Sequence, residues 1–312
     1  MKIWNDKRYY SLDYYLKQLY GEKVYKVSLN GGMTCPNRDG KIGVGGCIFC
    51  STGGSGDFAA PKIDSVTTQI DRAIEGISQS KSVGSKFIAY FQAFTNTYAP
   101  VEYLRKLFTE AINHPNIVGL SIATRPDCLP DDVLELLSDL NKMKPVWVEL
   151  GLQTTKEESA SFIRRGYPLS VFDNAVDKLS NLGIAAIVHI IVGLPHESRE
   201  DILNSVRYIS QLPIQGIKLQ LLHVLKGTDL AQHLGEFHIL SLEEYVDLVI
   251  ECLEILPEHI VVHRITGDGP KNLLLAPLWS QKKREVMNRI NQELARRNTW
   301  QGRLNPSTRK EN

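Results

Sequence analysis

Strand-like runs alternate with helix-length segments through most of the chain, and this alternation constrains the fold more than any other feature. The runs are "KVYKVSL" at 23–29, "FIAYFQ" at 87–92, "IVGLSIA" at 117–123, "VWVEL" at 146–150, "IAAIVHIIV" at 184–192 and "IKLQLLHV" at 217–224, each rich in Val, Ile and aromatics. Between them lie segments 65–79, 100–113, 130–142, 170–182 and 198–211, opened by Ser or Pro as helix starts prefer. A helical crossover returns the chain to the same end of a sheet, so strands joined this way are parallel. Six such units either curl into a partial barrel or lie open as a doubly wound sheet. In "VGLSIATR", Gly119, Ser121 and Ala123 share one strand face and Val118, Leu120 and Ile122 the other. A row of small residues leaves room either for a hollow interior or for the close approach of a neighbouring element.

Three cysteines, Cys35, Cys47 and Cys50, fall in one glycine-rich loop, "TCPNRDGKIGVGGCIFCS", while Cys128 and Cys252 stand alone. The chain shows no apolar run of membrane-spanning length, and its first residues, "MKIWNDKRYYSLDYYL", lack the apolar core of a signal peptide. A cytoplasmic address and no membrane partner are therefore expected, where clustered cysteines point to metal binding or catalysis, not to disulfides. Thiolates ligate zinc or iron. Structural zinc sites are closed by four protein ligands, and residues 31–60 contain no histidine and no fourth cysteine. An iron-sulfur cluster held by three thiolates keeps one iron open to a substrate or cofactor. Gly43, Gly45 and Gly46 supply backbone freedom for wrapping a compact ligand, and Phe49 is placed to shield it. Zinc with a distant histidine as fourth ligand remains the alternative.

The cysteine loop is followed in order by "TRPD" at 124–127, "ELGLQT" at 149–154, "HIIVGLP" at 189–195 and "IKLQLLHVLKGT" at 217–228. This set resembles the radical S-adenosylmethionine (SAM) enzymes, in particular the branch containing the catalytic subunit of Elongator. The whole pattern, with "NGGMTCPNRDGKIGVGGCIFC" and "YFQAFTNTY", is similar to a bacterial family of stand-alone radical SAM proteins of uncharacterised substrate. Eleven residues separate Cys35 from Cys47, longer than the commonest radical SAM spacing but in keeping with the Elongator-like branch. The resemblance implies an α/β fold, a partial (βα)6 TIM-like barrel of the radical SAM type. It also implies a 4Fe-4S cluster on Cys35, Cys47 and Cys50, whose open iron chelates SAM. Reduction, by a donor such as flavodoxin or ferredoxin, would cleave SAM to a 5'-deoxyadenosyl radical that abstracts hydrogen from a substrate. The expected organisation is a helical extension at 1–22, the barrel at 23–270 with its cluster loop at 31–60, and a basic helical tail at 271–312.

The remaining motifs supply candidate contacts. Glu149 lies on an apolar strand, where an unpaired carboxylate is costly, and shares parity with Gly151 and Gln153. The family reading makes Glu149 and Gln153 contacts to the ribose and methionine of SAM; the competing reading pairs Glu149 with a neighbouring strand's cation. Tyr90 and Gln92 stand where radical SAM enzymes hold the methionine amino group, although the usual Gly-Gly-Glu is missing. By resemblance Val192, Gly193 and Leu194 meet the adenine. Candidate catalytic groups are His189, Lys218 and Arg125. For His189 the alternative is a satisfied core histidine, and for Arg125 a link to Asp127 that only fixes the loop. "VVHRITGDGP" at 261–270 reads as a final strand and loop, with His263, Arg264 and Asp268 as further candidate substrate contacts, and Lys226 is read as a solvated loop charge.

The substrate is open. The Elongator resemblance suggests tRNA, and residues 281–312 carry nine Lys or Arg against three acids, a surplus suited to phosphate. No segment of acetyltransferase size follows the barrel, so acetyl-CoA-dependent chemistry is not carried over. Six tyrosines in the first 25 residues suit stacking on bases or packing against the barrel end. A zinc-stabilised nucleic-acid-binding module and a radical SAM enzyme acting on a small metabolite are the alternatives.

Overall fold

A computed structural model describes residues 2–54, 65–81, 84–267 and 269–306. The end of the expected cluster loop, 55–60, and Asp268 lie outside the described residues. In chain order the elements are α1 (Leu12–Tyr20), β1 (Tyr25–Leu29), α2 (Val66–Ser80), β2 (Phe87–Phe91), α3 (Val101–Asn113), β3 (Ile117–Thr124), α4 (Asp131–Met143), β4 (Val146–Gln153) and α5 (Glu157–Phe162). They continue with α6 (Leu169–Asn181), β5 (Ala185–Val192), α7 (Arg199–Ile209), β6 (Gly216–Leu221), β7 (Val224–Leu225), α8 (Leu242–Ile255), β8 (Val261–Arg264), β9 (Leu274–Ala276) and α9 (Lys283–Arg296). Ser65, Ser198 and Ser241 cap α2, α7 and α8 by accepting a backbone N–H, and the last two form reciprocal capping boxes with Asp201 and Glu244.

Seven strands form one parallel sheet in the order β1-β2-β3-β4-β5-β6-β8. Side chains of non-neighbouring strands prove that it curls. Lys26 Nζ on β1 lies 2.7 Å from Glu149 Oε1 on β4, and Lys218 Nζ on β6 lies 3.1 Å from the Tyr90 hydroxyl on β2. A flat sheet with strands about 4.8 Å apart would hold these pairs roughly 14 and 19 Å apart. The sheet is thus a half-barrel, the curled alternative of the two that the alternation allows.

The final strand expected at 261–270 is β8, only four residues long, which joins the six others by pairing with the free edge of β6. The strand expected at 217–224 ends at Leu221; the chain then leaves the barrel, and β7 pairs antiparallel with β9. Outward strand residues such as Val27, Phe91, Leu120, Val148, Val188 and Leu219 form the main core with the helices, including Phe108, Leu137, Phe172 and Tyr245. At the lower end of the hollow, Val24, Ile88, Trp147 and Ile187 pack with Leu16 of α1, which plugs the barrel there. The row of small residues on β3 serves both purposes. A Cβ on Gly119 would meet Pro145 O at 2.9 Å, so this glycine permits close packing, whereas Ala123 lines an open cavity.

The N-terminal tyrosines belong to this plug. Tyr9 is buried, Tyr10 contacts Trp4, Tyr14 and Tyr15, and Tyr20 donates to Val118 O. The basic C-terminal segment is more than a helix: β9 and a short 3-10 turn precede α9, which packs on α8. Several of its cations are paired: Arg289 with Glu243 at 2.7 Å, Arg297 with Asp247 and Glu293, Arg296 with Glu293, and Lys282 with Glu285. The buried Gln301 side chain donates to Pro257 O and Ile260 O and accepts from Tyr10 N–H, tying the two ends of the described chain together.

Candidate active site

The cysteine loop folds over the open end of the half-barrel, and Cys35, Cys47 and Cys50 all line one cavity of about 970 Å³. Local bonds set its shape. The N–H groups of Arg38 and Asp39 donate to Cys35 O at 2.8 and 3.2 Å, and Cys50 N–H donates to Cys47 O at 3.0 Å. Gly45 and Gly46 both have φ of 88°, a left-handed conformation that favours glycine. A Cβ on Gly46 would also lie 2.9 Å from Arg38 Nε. Arg38 crosses the loop, donating to Cys50 O and Ser51 O, with its guanidinium 5.4 Å from the Phe94 ring. Asn37 anchors the loop to the barrel by donating to Arg164 O at 2.6 Å, and its amide lies 3.5 Å from Cys47 Sγ. A hydrogen bond with Cys50 draws the Cys47 thiol down to about 7 against burial, with help from Asn37 and two arginines. The same bond, with burial, pushes Cys50 up.

Among the described residues, no three His, Cys, Asp or Glu side chains converge where one metal ion could sit. A tetrahedral zinc centre needs four such donors around one point. Three thiols rimming a roomy cavity, with no fourth cysteine in its wall, suit a larger cluster with one open iron instead. The donor set therefore fits a 4Fe-4S cluster.

Beneath the loop, the barrel floor is a polar network centred on Glu149, which is 1% exposed. Its carboxylate accepts from Ser121 Oγ at 2.6 Å and pairs with Lys26 at 2.7 Å, with His189 Nε2 at 2.9 Å and with Lys218. The two ammonium groups also sit 4.8 and 4.7 Å from the Tyr90 ring. Burial opposes ionisation of Glu149, but Lys218, Lys26 and the His189 bond together hold its carboxyl well below the usual range. Burial draws Lys218 down to about 7, opposed by Glu149 and aided by Lys26 and Arg264. Burial, with Lys218, lowers His189 to about 4 despite Glu149. At neutral pH His189 is an uncharged imidazole.

Of the expected site residues, Tyr90, Gln92, Glu149, Gln153, His189, Lys218 and Arg125 all line this cavity with the cysteines. Glu149 is ion-paired, but to lysines of β1 and β6, which are not its neighbouring strands, and it is so inside the cavity. Gln153 adopts φ of 66° after a register shift between Gly151 and Gln153, and its Oε1 is buried without a partner. A Cβ on Gly151 would lie 2.5 Å from Gln153 Nε2, so the glycine makes room for that amide. Arg125 is committed to the loop: it grips Asp127 through two bonds of 2.9 and 2.8 Å, donates to Arg165 O at 2.9 Å and stacks on Tyr167. Lys226 is exposed on a turn at Gly227 and lies outside the cavity wall.

Val192, Gly193 and Leu194 are not in the wall of the cysteine cavity. Inward residues of β5 are His189 and Ile191, so Val192 points to the helix layer, and the positive φ of Gly193, 92°, turns the chain before another inward position is reached. Gly193 and Leu194 line a second cavity of about 760 Å³ instead. Sequence reasoning missed Lys26, Arg165 and Tyr167. Lys26 was findable: it stands between apolar residues in "VYKVSL" and shares strand parity with Val24 and Ser28. Tyr167 carried no comparable signal. His263 and Arg264, at the end of β8, line the cavity as expected.

Residues 35–209 match the radical SAM superfamily, and residues 214–296 match the Radical_SAM C-terminal domain. The chain is 48% identical over 301 residues to the uncharacterized protein YtqA of Bacillus subtilis, covering 96% of this chain and 93% of that one. It is 27% identical over 164 residues to the tRNA uridine(34) acetyltransferase of Methanocaldococcus jannaschii, 51% of this chain and 30% of that protein. The archaeal Methanocaldococcus infernus Elp3 superposes with a TM-score of 0.69 at 18% identity, covering 89% of this chain and 64% of that one, which shows the shared half-barrel. With three thiols at the mouth of a polar half-barrel and a family match across more than half its length, the chain belongs to the radical SAM superfamily of enzymes.

Proposed function

We propose that this protein reductively cleaves SAM at a 4Fe-4S cluster and abstracts hydrogen from a substrate within the half-barrel. The observation that carries the reading is the meeting of Cys35, Cys47 and Cys50 with the polar barrel floor in one cavity. When bound, the cluster supplies the electron for SAM cleavage and an iron site for the amino and carboxylate groups of SAM. Cys35, Cys47 and Cys50 would hold it, and Arg38 braces their loop. Gln153, with its unpaired buried Oε1, offers an acceptor to a hydroxyl or amino group of SAM. Tyr90 and Gln92 line the same cavity, and Ile191, in its wall just before the turn at Val192–Leu194, offers an apolar face to the adenine. Glu149, His189, Lys26 and Lys218 hold the floor polar and fix its charge. A one-electron donor such as flavodoxin or ferredoxin would serve as reductant.

The test is anaerobic reconstitution with iron and sulfide, followed by reduction with SAM present. Formation of 5'-deoxyadenosine is expected in wild-type protein and not in Cys47→Ala; protein that binds about four irons yet never binds SAM would end the reading.

A second reading, that the substrate is tRNA, is favoured by the likeness to a tRNA uridine(34) acetyltransferase over half of this chain. Comparing tRNA nucleosides from cells with and without the gene tests it. A nucleoside missing or accumulating in the deletion strain is expected; identical profiles remove tRNA as substrate.

A further inference from the structure

We propose that the floor of the cavity is a subsite for the anionic group of a small organic substrate, a carboxylate or phosphate, seated between Lys26, Lys218 and His263. This deepens the radical SAM reading, and rests on it for taking the cavity as the reaction chamber.

Charge is the first argument. The Lys26 and Lys218 ammonium groups converge on a single carboxylate, Glu149, and Arg264 lines the same cavity. Glu149 is the one acid among the described lining residues; Arg125 and Arg165 hold Asp127 and Glu157 outside the wall, so those acids do not serve the floor lysines. Buried cations demand counter-charge, and one carboxylate shared by two lysines leaves the floor short of it. His189 offers none, since an imidazole ring carries no negative charge.

His263 provides the second, independent argument. Both of its ring nitrogens are buried and neither has a hydrogen-bond partner. A neutral imidazole carries one donor and one acceptor, so leaving both unmet is costly unless a ligand supplies the partner. The imidazole is also given space at a definite place: a Cβ on Gly216 would lie 2.7 Å from His263 Nε2. An oxyanion here would accept from His263 and from the lysines at once.

Depth sets the size of the ligand. Lys218 is 4% exposed, the strands wall the floor, and α1 plugs it from below. A polymer backbone cannot thread to such a place, whereas a small acid or phosphate ester can. The anionic group would thereby orient the rest of the substrate toward the cysteine end.

The test uses anaerobically reconstituted protein with saturating SAM, titrated calorimetrically with inorganic phosphate and, separately, with succinate. Saturable binding of at least one probe is expected, and which one binds separates phosphate from carboxylate. Lys218→Met should weaken it about tenfold or more, the loss of one charge-assisted hydrogen bond. His263→Leu should weaken it with no change in charge. Glu149→Gln should tighten it, a direction that a merely structural role does not predict; if that variant fails to fold, Lys26→Met must weaken binding. Absence of binding by both probes, equal affinity in Lys218→Met, or binding that appears only in a parallel titration without SAM would each overturn the proposal. Binding only without SAM would give the lysines to the SAM carboxylate. Lys218-dependent binding in protein that never binds SAM would support the subsite while removing the radical SAM reading.

Discussion

Lys26 on β1 and Glu149 on β4 meet at 2.7 Å across the hollow of the sheet, joining strands that are not neighbours. Glu149 is also the common acceptor for Lys218 on β6, His189 on β5 and Ser121 on β3, so one carboxylate bonds side chains from four other strands. Its removal would leave two lysines buried without counter-charge. Glu149→Ala is expected to cost about 3–5 kcal/mol of stability, in the range for breaking a buried ion pair from one side. Anaerobic urea unfolding checks it, and a loss under 1 kcal/mol would mean that the lysines are not charged in the folded protein. Lys26→Met should cost less, because Glu149 keeps Lys218 and His189.

The same network makes stability rise with pH on the acid side. Burial, with Lys218, lowers His189 from 6.5 to about 4, so between these values the unfolded chain binds the proton that the folded chain refuses. Glu149, held below its ordinary value, acts in the same direction as pH falls through the carboxylate range. Stability should therefore climb by up to about 3 kcal/mol between pH 4 and 6.5 from His189 alone. His189→Gln keeps a donor to Glu149 but no titration, and should flatten this limb. Burial lowers Lys218 from 10.5 to about 7, so it adds a second rise above neutrality that Lys218→Met removes.

Iron content should divide the cysteines into two groups. Cys35→Ala, Cys47→Ala and Cys50→Ala should each abolish the roughly four irons expected of one cluster. Cys128 and Cys252 lie away from the cavity wall, and burial pushes both thiols up to about 12, which keeps them protonated and unreactive. Cys128→Ala and Cys252→Ala should keep their iron, and Cys252→Ala should lose only the stability of a small core vacancy. Iron loss in either would place that cysteine among the ligands.

The strands carrying the site were legible because their apolar runs are long and end in helix starts. Glu149 could be singled out because a carboxylate in "VWVEL" must find a partner, but the partners could not be named: Lys26 is 123 residues away in sequence and reaches it only through the curvature of the sheet. β8 was legible as the start of "VVHRITGDGP", a final strand and loop, but its four residues carry nothing that says which edge of the sheet it joins. At 192–194 strand parity carries inward positions as far as Ile191, and the left-handed Gly193 then turns the chain, so that Gly193 and Leu194 face the neighbouring cavity.

Gln153 and Gly151 allow a test of the SAM contact that leaves the floor intact. Gly151→Ala would place a methyl 2.5 Å from Gln153 Nε2, and because that amide ends a flexible side chain, it can move away without disturbing the backbone. The expected result is weaker SAM binding with unchanged iron content and little loss of stability. Gln153→Ala should weaken SAM binding equally, and the double variant no further, because both act through one amide. Additive losses would show that Gly151 meets the cofactor by itself.

The basic helix α9 separates packing from RNA binding. Arg297 reaches Asp247 on α8 as well as Glu293 on its own helix, and Arg289 pairs with Glu243 on α8. Cations engaged in this way hold the helix against the barrel, and using them for phosphate would mean giving up those partners. Arg297→Ala should therefore lower the melting temperature by about 2 °C, a small effect in keeping with partly exposed ion pairs. If α9 only packs, the slope of tRNA affinity against salt should be the same in Arg297→Ala as in wild type. If Arg297 contacts phosphate, that slope should fall by about one while the melting temperature stays put. The paired geometry predicts the first result, and a tRNA-binding surface would then have to be sought on another face of the molecule.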